Sequence, residues 1–151
     1  MIEVGAKAPD FTLTDQKGTA ISLADFAGSK LVLCFYPLDF SPVCTDQLSV
    51  YQEVLGEIEA RGGRLAGISV DSQVCHKAFA ERIGTEIPLL ADFHPKGEVC
   101  EAYDALIAER GHANRSLVLV EDGEVRWVHE ASTPLEIPGA NLIFDALEST
   151  S

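Results

Sequence analysis

The chain is short of basic residues, of long apolar runs and of closely spaced cysteines, and each shortage removes a class of function. Lysine and arginine number 11 against 24 aspartates and glutamates, a net charge of -13. Such a surface repels phosphate backbones and anionic headgroups, so neither nucleic acid nor a membrane is expected as a partner. No apolar run approaches the ~20 residues that cross a bilayer. The opening Met1-Ile2-Glu3-Val4-Gly5 is not a basic segment leading into an apolar one, and a cytoplasmic location is expected. The 4 cysteines, at positions 34, 44, 75 and 100, are widely spaced and form no Cys-x-x-Cys, so a structural disulfide framework is a poor explanation for them. Reduced thiols with at most one catalytic pair fit better. His76, His94, His112 and His129 stand at no metal-ligand spacing to these cysteines, and neither metal nor cofactor is expected. With no repeat, linker or low-complexity stretch, 151 residues of 46% hydrophobic composition make one domain over 1–151.

What is present reads as alternating strands and helices. Asp10-Phe11-Thr12-Leu13-Thr14 and Thr19-Ala20-Ile21-Ser22-Leu23 flank turn residues and form a short hairpin. Lys30 to Tyr36 is apolar without alternation, as a central strand covered on both faces must be. Leu48, Tyr51, Val54, Leu55 and Ile58 recur at helical spacing up to a glycine stop at Gly62-Gly63. A second buried strand, 64–70, ends at Asp71-Ser72, which caps a helix running through Ile83 to Gly84 and carrying Cys75 near its start. Ile87 to Ala91 is a short strand, and 96–107 is expected to be helical, with Cys100 inside it. Ser116–Val120 and Glu124–Val128 flank Asp122-Gly123 as a hairpin entered by Arg115, and 138–148 is a last amphipathic helix. This order predicts an α/β sandwich of thioredoxin type, with a central mixed sheet and an N-terminal hairpin. In such sheets functional groups gather beyond the carboxyl ends of the parallel strands, which both Cys44 and Cys75 follow.

The stretch Pro37-Leu-Asp-Phe-Ser-Pro-Val-Cys44 carries the chemistry. Ser41 suits an N-cap and Pro42 the first helical position, which places Cys44 in the first turn. Unpaired N–H groups and the positive end of the helix dipole favour a thiolate there. Thiolate formation alone gains little, because lowering a thiol pKa from ~8.5 to ~6 raises the thiolate fraction roughly 30-fold while nucleophilicity falls by about tenfold. Most of the acceleration of any attack by such a thiolate must come from donors aimed at the charge that develops on the leaving group. Cys34, within an apolar strand, reads as a small buried hydrophobe, and Trp127 as packing.

The segment resembles the peroxiredoxin signature Pro-x-x-x-Thr/Ser-x-x-Cys. The likeness extends from Ala8-Pro9-Asp10-Phe11 through Phe35-Tyr36-Pro37 and Ser69-Val70-Asp71-Ser72 to Arg115 and the Asp122-Gly123 hairpin. Within that family the chain resembles the alkyl hydroperoxide reductase E-like and bacterioferritin comigratory protein-like branches. The resemblance implies a thiol-dependent peroxidase acting on hydrogen peroxide and organic hydroperoxides through a sulfenic acid. It assigns the peroxidatic nucleophile to Cys44, peroxide or thiolate contacts to Ser41 and Arg115, and shielding of the thiolate to Pro37. Many relatives carry Glu where Gln47 stands, so an amide must meet any hydrogen bond made there. The family also implies an external thiol reductant of thioredoxin or glutaredoxin kind and a homodimer. Among its resolving arrangements, Cys75 is favoured over Cys100 or an external thiol, being near the start of a helix that should lower its pKa. Two other readings stand beside this one: a thioredoxin-like disulfide reductase, disfavoured because Ser41 replaces the first cysteine of a Cys-x-x-Cys, and a non-enzymatic redox sensor or chaperone.

Overall fold

The computed structural model describes residues 1–150. Strands β1 (Thr12–Thr14) and β2 (Ala20–Ser22) form the expected N-terminal hairpin, and a 3-10 turn over Leu23–Phe26 leads into β3 (Lys30–Phe35). Then come α1 (Pro42–Glu53), α2 (Leu55–Ala60), β4 (Gly63–Ser69), α3 (Gln73–Ile83) and β5 (Leu89–Ala91). The remainder is α4 (Glu98–Ala102), a small ribbon of β6 (Leu106–Ile107) and β7 (His112–Ala113), the hairpin of β8 (Ser116–Glu121) and β9 (Glu124–Glu130), and α5 (Ala140–Ser149). Seven strands make one mixed sheet in the order β2-β1-β5-β4-β3-β8-β9. Its centre is parallel, β3 with β4 and β4 with β5, while β8 runs antiparallel to β3. This is the thioredoxin-like architecture the sequence implies.

The unbroken apolar run of β3 is explained by two cores. Leu31, Leu33 and Phe35 enter one cluster with Phe11, Phe26, Tyr103 and Val118. The alternate residues Val32, Cys34 and Tyr36 enter a second with Leu48, Tyr51, Phe79, Ile143 and Leu147. Alternation along a strand thus fills both faces of the sheet. At Gly67 on β4 an added Cβ would come within 3.1 Å of both the Tyr36 ring and Leu89, so glycine gives the Tyr36 ring its place.

Two helical expectations are corrected. The helix through Ile58 is interrupted at Val54, which adopts φ -107 and ψ 8 and hands over from α1 to α2 with both Val54 and Leu55 still packed on the second core. The stretch 96–107 is helical only over Glu98–Ala102. Gly97 precedes it at φ 75 and Asp104 follows at φ 54, and such left-handed residues end a helix; Leu106 and Ile107 then pair with Ala113 and His112 as a ribbon. Elsewhere the punctuation works as read. Ser72 accepts the Cys75 N–H at 3.1 Å, Gly84 closes α3 at φ 66, and Asp122 and Gly123 supply the two positive φ angles of the β8–β9 turn.

Candidate active site

The β3–α1 loop delivers Cys44. Beyond β3 and the buried Tyr36 and Pro37, the chain passes Asp39, Phe40 and Ser41 and enters α1 with Pro42 in the first turn. Phe40 has φ 66, a conformation that costs a bulky residue about 1–3 kcal/mol and persists only where its surroundings over-determine it. They do so here. The Phe40 ring lies 5.1 Å from the Phe79 ring of α3, and the Asp39 N–H donates to Asp71 Oδ2 at 2.9 Å. Ser41 occupies the N-cap position, as expected, but its hydroxyl does not cap; it donates to the Leu38 carbonyl at 3.0 Å. The first intrahelical bond, Thr45 N–H to Ser41 O at 2.9 Å, leaves the N–H groups of Val43 and Cys44 without protein acceptors among the described residues.

Cys44 is itself fully buried, and its sulfur accepts a hydrogen bond from Arg115 Nη2 at 3.3 Å. Arg115, just before β8, is only 3% exposed. Its Nε donates to the Pro134 carbonyl at 2.8 Å and its Nη1 to Gln47 Oε1 at 2.5 Å. Gln47 Nε2 in turn donates to the Tyr51 hydroxyl at 3.1 Å, and that hydroxyl to the Pro138 carbonyl at 2.6 Å. The amide at position 47 therefore makes the contact that a carboxylate could have made. It does so without placing a negative charge against the guanidinium. No carboxylate pairs with Arg115 among the described residues. A buried guanidinium cannot shed its proton, so the Cys44 sulfur is the one neighbour on it that can carry a compensating negative charge.

Cys75 lies where the sequence places it, in the first turn of α3, but its environment is opposite to the one expected. Its sulfur is within 4.8 Å of carboxylate oxygens of Asp39 and Asp71, and its thiol is 3.8 Å from Asp71 Oδ1. Burial first, and then these two carboxylates, push the Cys75 thiol up to about 12. The helix start is outweighed. Cys34 is pushed up to about 12 by burial, in keeping with a packed thiol, and Cys100 is driven up well beyond the ordinary thiol range by burial and by Asp92. All four cysteines are free in this structure.

The structure thus brings Cys44, Ser41 and Pro37 together on one loop and helix start, with Arg115 delivered to Cys44 from β8. It shows Gln47, already singled out in the sequence, and Pro134 holding Arg115, and adds Tyr51 as the residue that holds Gln47. Tyr51 reads in the sequence only as an apolar helix position, and Pro134 carries no signal, because it contributes a carbonyl.

Comparison with known proteins agrees with this layout. The family described as AhpC/TSA matches residues 4–128. A Mycobacterium tuberculosis protein named alkyl hydroperoxide reductase E is 36% identical over 148 residues, 97% of each chain. A bcp peroxiredoxin of Coxiella burnetii is 38% identical over 106 residues, 70% of this chain and 69% of its own. The crystal structure of Enterococcus faecalis AhpC superposes with a TM-score of 0.91 at 28% identity, covering 99% of this chain and 93% of that one.

Proposed function

With the chain a member of the AhpC/TSA family of peroxiredoxins, we propose that it is a single-domain thiol peroxidase whose nucleophile is Cys44. The observation that carries this assignment is the buried Arg115 guanidinium, 3.3 Å from the Cys44 sulfur and without a carboxylate of its own. The Cys44 thiolate attacks one peroxide oxygen, the O–O bond breaks, and the departing oxygen leaves as water or an alcohol once it has taken a proton; Cys44 is left as a sulfenic acid. Negative charge moves from sulfur to the departing oxygen. Of the five guanidinium N–H groups, three are engaged, leaving two to follow that charge, and the free N–H groups of Val43 and Cys44 stand beside them. Ser41, its proton directed to Leu38, offers its oxygen as an acceptor for the peroxide O–H. Pro37 closes the loop above β3 without an N–H that would need a partner.

The sulfenic acid then condenses with the Cys75 thiol to a disulfide and water, and an external thiol protein of thioredoxin or glutaredoxin kind returns both cysteines to thiols. The substrates are hydrogen peroxide and organic hydroperoxides, the assembly is a homodimer, and the compartment is the cytoplasm, where such reductants are available. No described helix is long and apolar enough to cross a membrane. The assignment is tested with Cys44→Ser in the presence of excess dithiol. Peroxide consumption should disappear, and turnover near the wild-type level would refute it.

A further inference from the structure

Asp39 and His76, which the chemistry above does not use, form a fully enclosed pair with both side chains at 0% exposure. Asp39 Oδ1 accepts the Tyr36 hydroxyl at 2.6 Å, and its Oδ2 lies 2.6 Å from His76 Nδ1. The other ring nitrogen, Nε2, is 3.2 Å from the Leu90 carbonyl oxygen of β5. The Tyr36 phenol is held well above its ordinary range by burial and by Asp39, so it remains a donor. One loop residue is thereby tied to α3, to β5 and to the end of β3. Phe40, its neighbour at φ 66, rests on Phe79, one helical turn beyond His76. The strained residue between Asp39 and Ser41 is held from both the polar and the apolar side. Cys75 adjoins the same pair, its sulfur within 4.8 Å of an Asp39 carboxylate oxygen.

We propose that Asp39 and His76 are positioning residues: a clamp that docks the β3–α1 loop on α3, fixes Cys44 in the geometry that reacts with peroxide, and withholds Cys75 from reaction until the loop lifts off. The clamp acts through the loop. Its bonds fix Asp39, five residues before Cys44, and misplacing a reacting atom by about 1 Å can cost on the order of 100-fold in rate. Cys75 is restrained by the same contact, because the Asp39 carboxylate disfavours its thiolate and its helix is the surface on which the loop is docked. Release of the loop frees the Cys44 sulfenic acid and the Cys75 thiol for the condensation Cys44–SOH + Cys75–SH → Cys44–S–S–Cys75 + H2O. The clamp therefore favours oxidation and opposes the step that follows it.

The inference rests on Cys44 being the peroxidatic residue, and the experiment separates the two claims. Asp39→Ala removes the carboxylate while leaving the His76 Nε2 contact with the Leu90 carbonyl in place. Asp39→Asn can donate from its amide to His76 Nδ1 and accept from Tyr36, which restores the clamp without charge. Ile83→Ala, at the far end of α3, serves as a control for lost stability. Second-order Cys44 oxidation and first-order disulfide formation are read separately by quenched intact-mass analysis, with melting temperatures measured in parallel. Asp39→Ala should slow oxidation roughly 10- to 100-fold and quicken disulfide formation. Asp39→Asn should recover most of the oxidation rate, and Ile83→Ala should stay within about threefold of wild type. An unchanged oxidation rate in Asp39→Ala, or an equal slowing in Ile83→Ala at matched melting temperature, overturns the clamp. Slowed oxidation without quicker disulfide formation overturns the withholding of Cys75. Failure of wild-type Cys44 to react with peroxide would overturn the functional reading itself.

Discussion

Replacing Arg115 by methionine separates what the guanidinium does for the reaction from what it does for the fold. The variant removes the N–H donor at 3.3 Å from the Cys44 sulfur and the two N–H groups available to the departing oxygen. Loss of one aimed donor costs about 100- to 1,000-fold in rate, or about 2.7–4 kcal/mol of transition-state stabilisation. On the folding side, the Pro134 carbonyl and Gln47 Oε1 lose their donor. Orphaning a buried acceptor costs about 1–3 kcal/mol each. Against this stands relief of the desolvation penalty for a buried charge, which is several kcal/mol per ion. The two stability contributions oppose each other, whereas nothing offsets the rate loss. Arg115→Met should therefore oxidise at least ~100-fold more slowly, with a melting temperature lowered by no more than a few degrees. Competition kinetics against a thiol of known reactivity, with intact-mass detection of Cys44, measures the first quantity and calorimetry the second. A variant that melts much earlier but keeps its oxidation rate per folded molecule would show that Arg115 is a structural residue.

Gln47→Leu removes the Nη1 acceptor and the link to Tyr51 while sparing the sulfur contact; it should slow oxidation by about tenfold, and a change under twofold in competition kinetics would show that Arg115 needs no such support. Tyr51→Phe leaves the Pro138 carbonyl without its donor and should cost about 1–3 kcal/mol in chemical denaturation, with a smaller effect on rate than Gln47→Leu. The condensing thiol is expected to show the pH dependence of a raised group. With Cys75 at about 12, its thiolate fraction rises tenfold per pH unit through neutral and mildly alkaline conditions, and the rate of disulfide formation should follow between pH 7 and 9. A plateau below pH 8 in rapid-quench measurements would mean that the carboxylates do not hold Cys75 as a thiol in the docked state from which it is released.

The order of elements and the location of Cys44 were legible because local rules determine them. Pro42 marks the start of α1, Ser72 and Gly84 bound α3, and Asp122-Gly123 makes the β8–β9 turn. The errors fell where a single backbone conformation overrides side-chain periodicity. The apolar spacing across Val54 continues as if the helix did, and Val99, Tyr103 and Leu106 all lie on the first core although they span a short helix, a turn and a ribbon. Gly97 and Asp104 were the available signals, since both residue types tolerate the left-handed region.

The charges around the two thiols were the least legible part of the site. A helix start supplies part of a charge to whatever lies in its first turn, and by that rule Cys44 and Cys75 are alike. What separates them arrives from distant sequence. Arg115 reaches Cys44 across 71 positions, while Asp39 and Asp71 meet beside Cys75 because β3 and β4 are parallel neighbours whose following loops share one edge of the sheet. One thiol faces a full positive charge and the other two negative ones, each stronger than the half charge of a helix end. The same topology that gathers functional groups at the carboxyl ends of parallel strands thus sets the two sulfurs apart, and on the mechanism proposed above the sulfur beside the cation reacts with peroxide while the sulfur beside the carboxylates waits as a thiol for the loop bearing Asp39 to move.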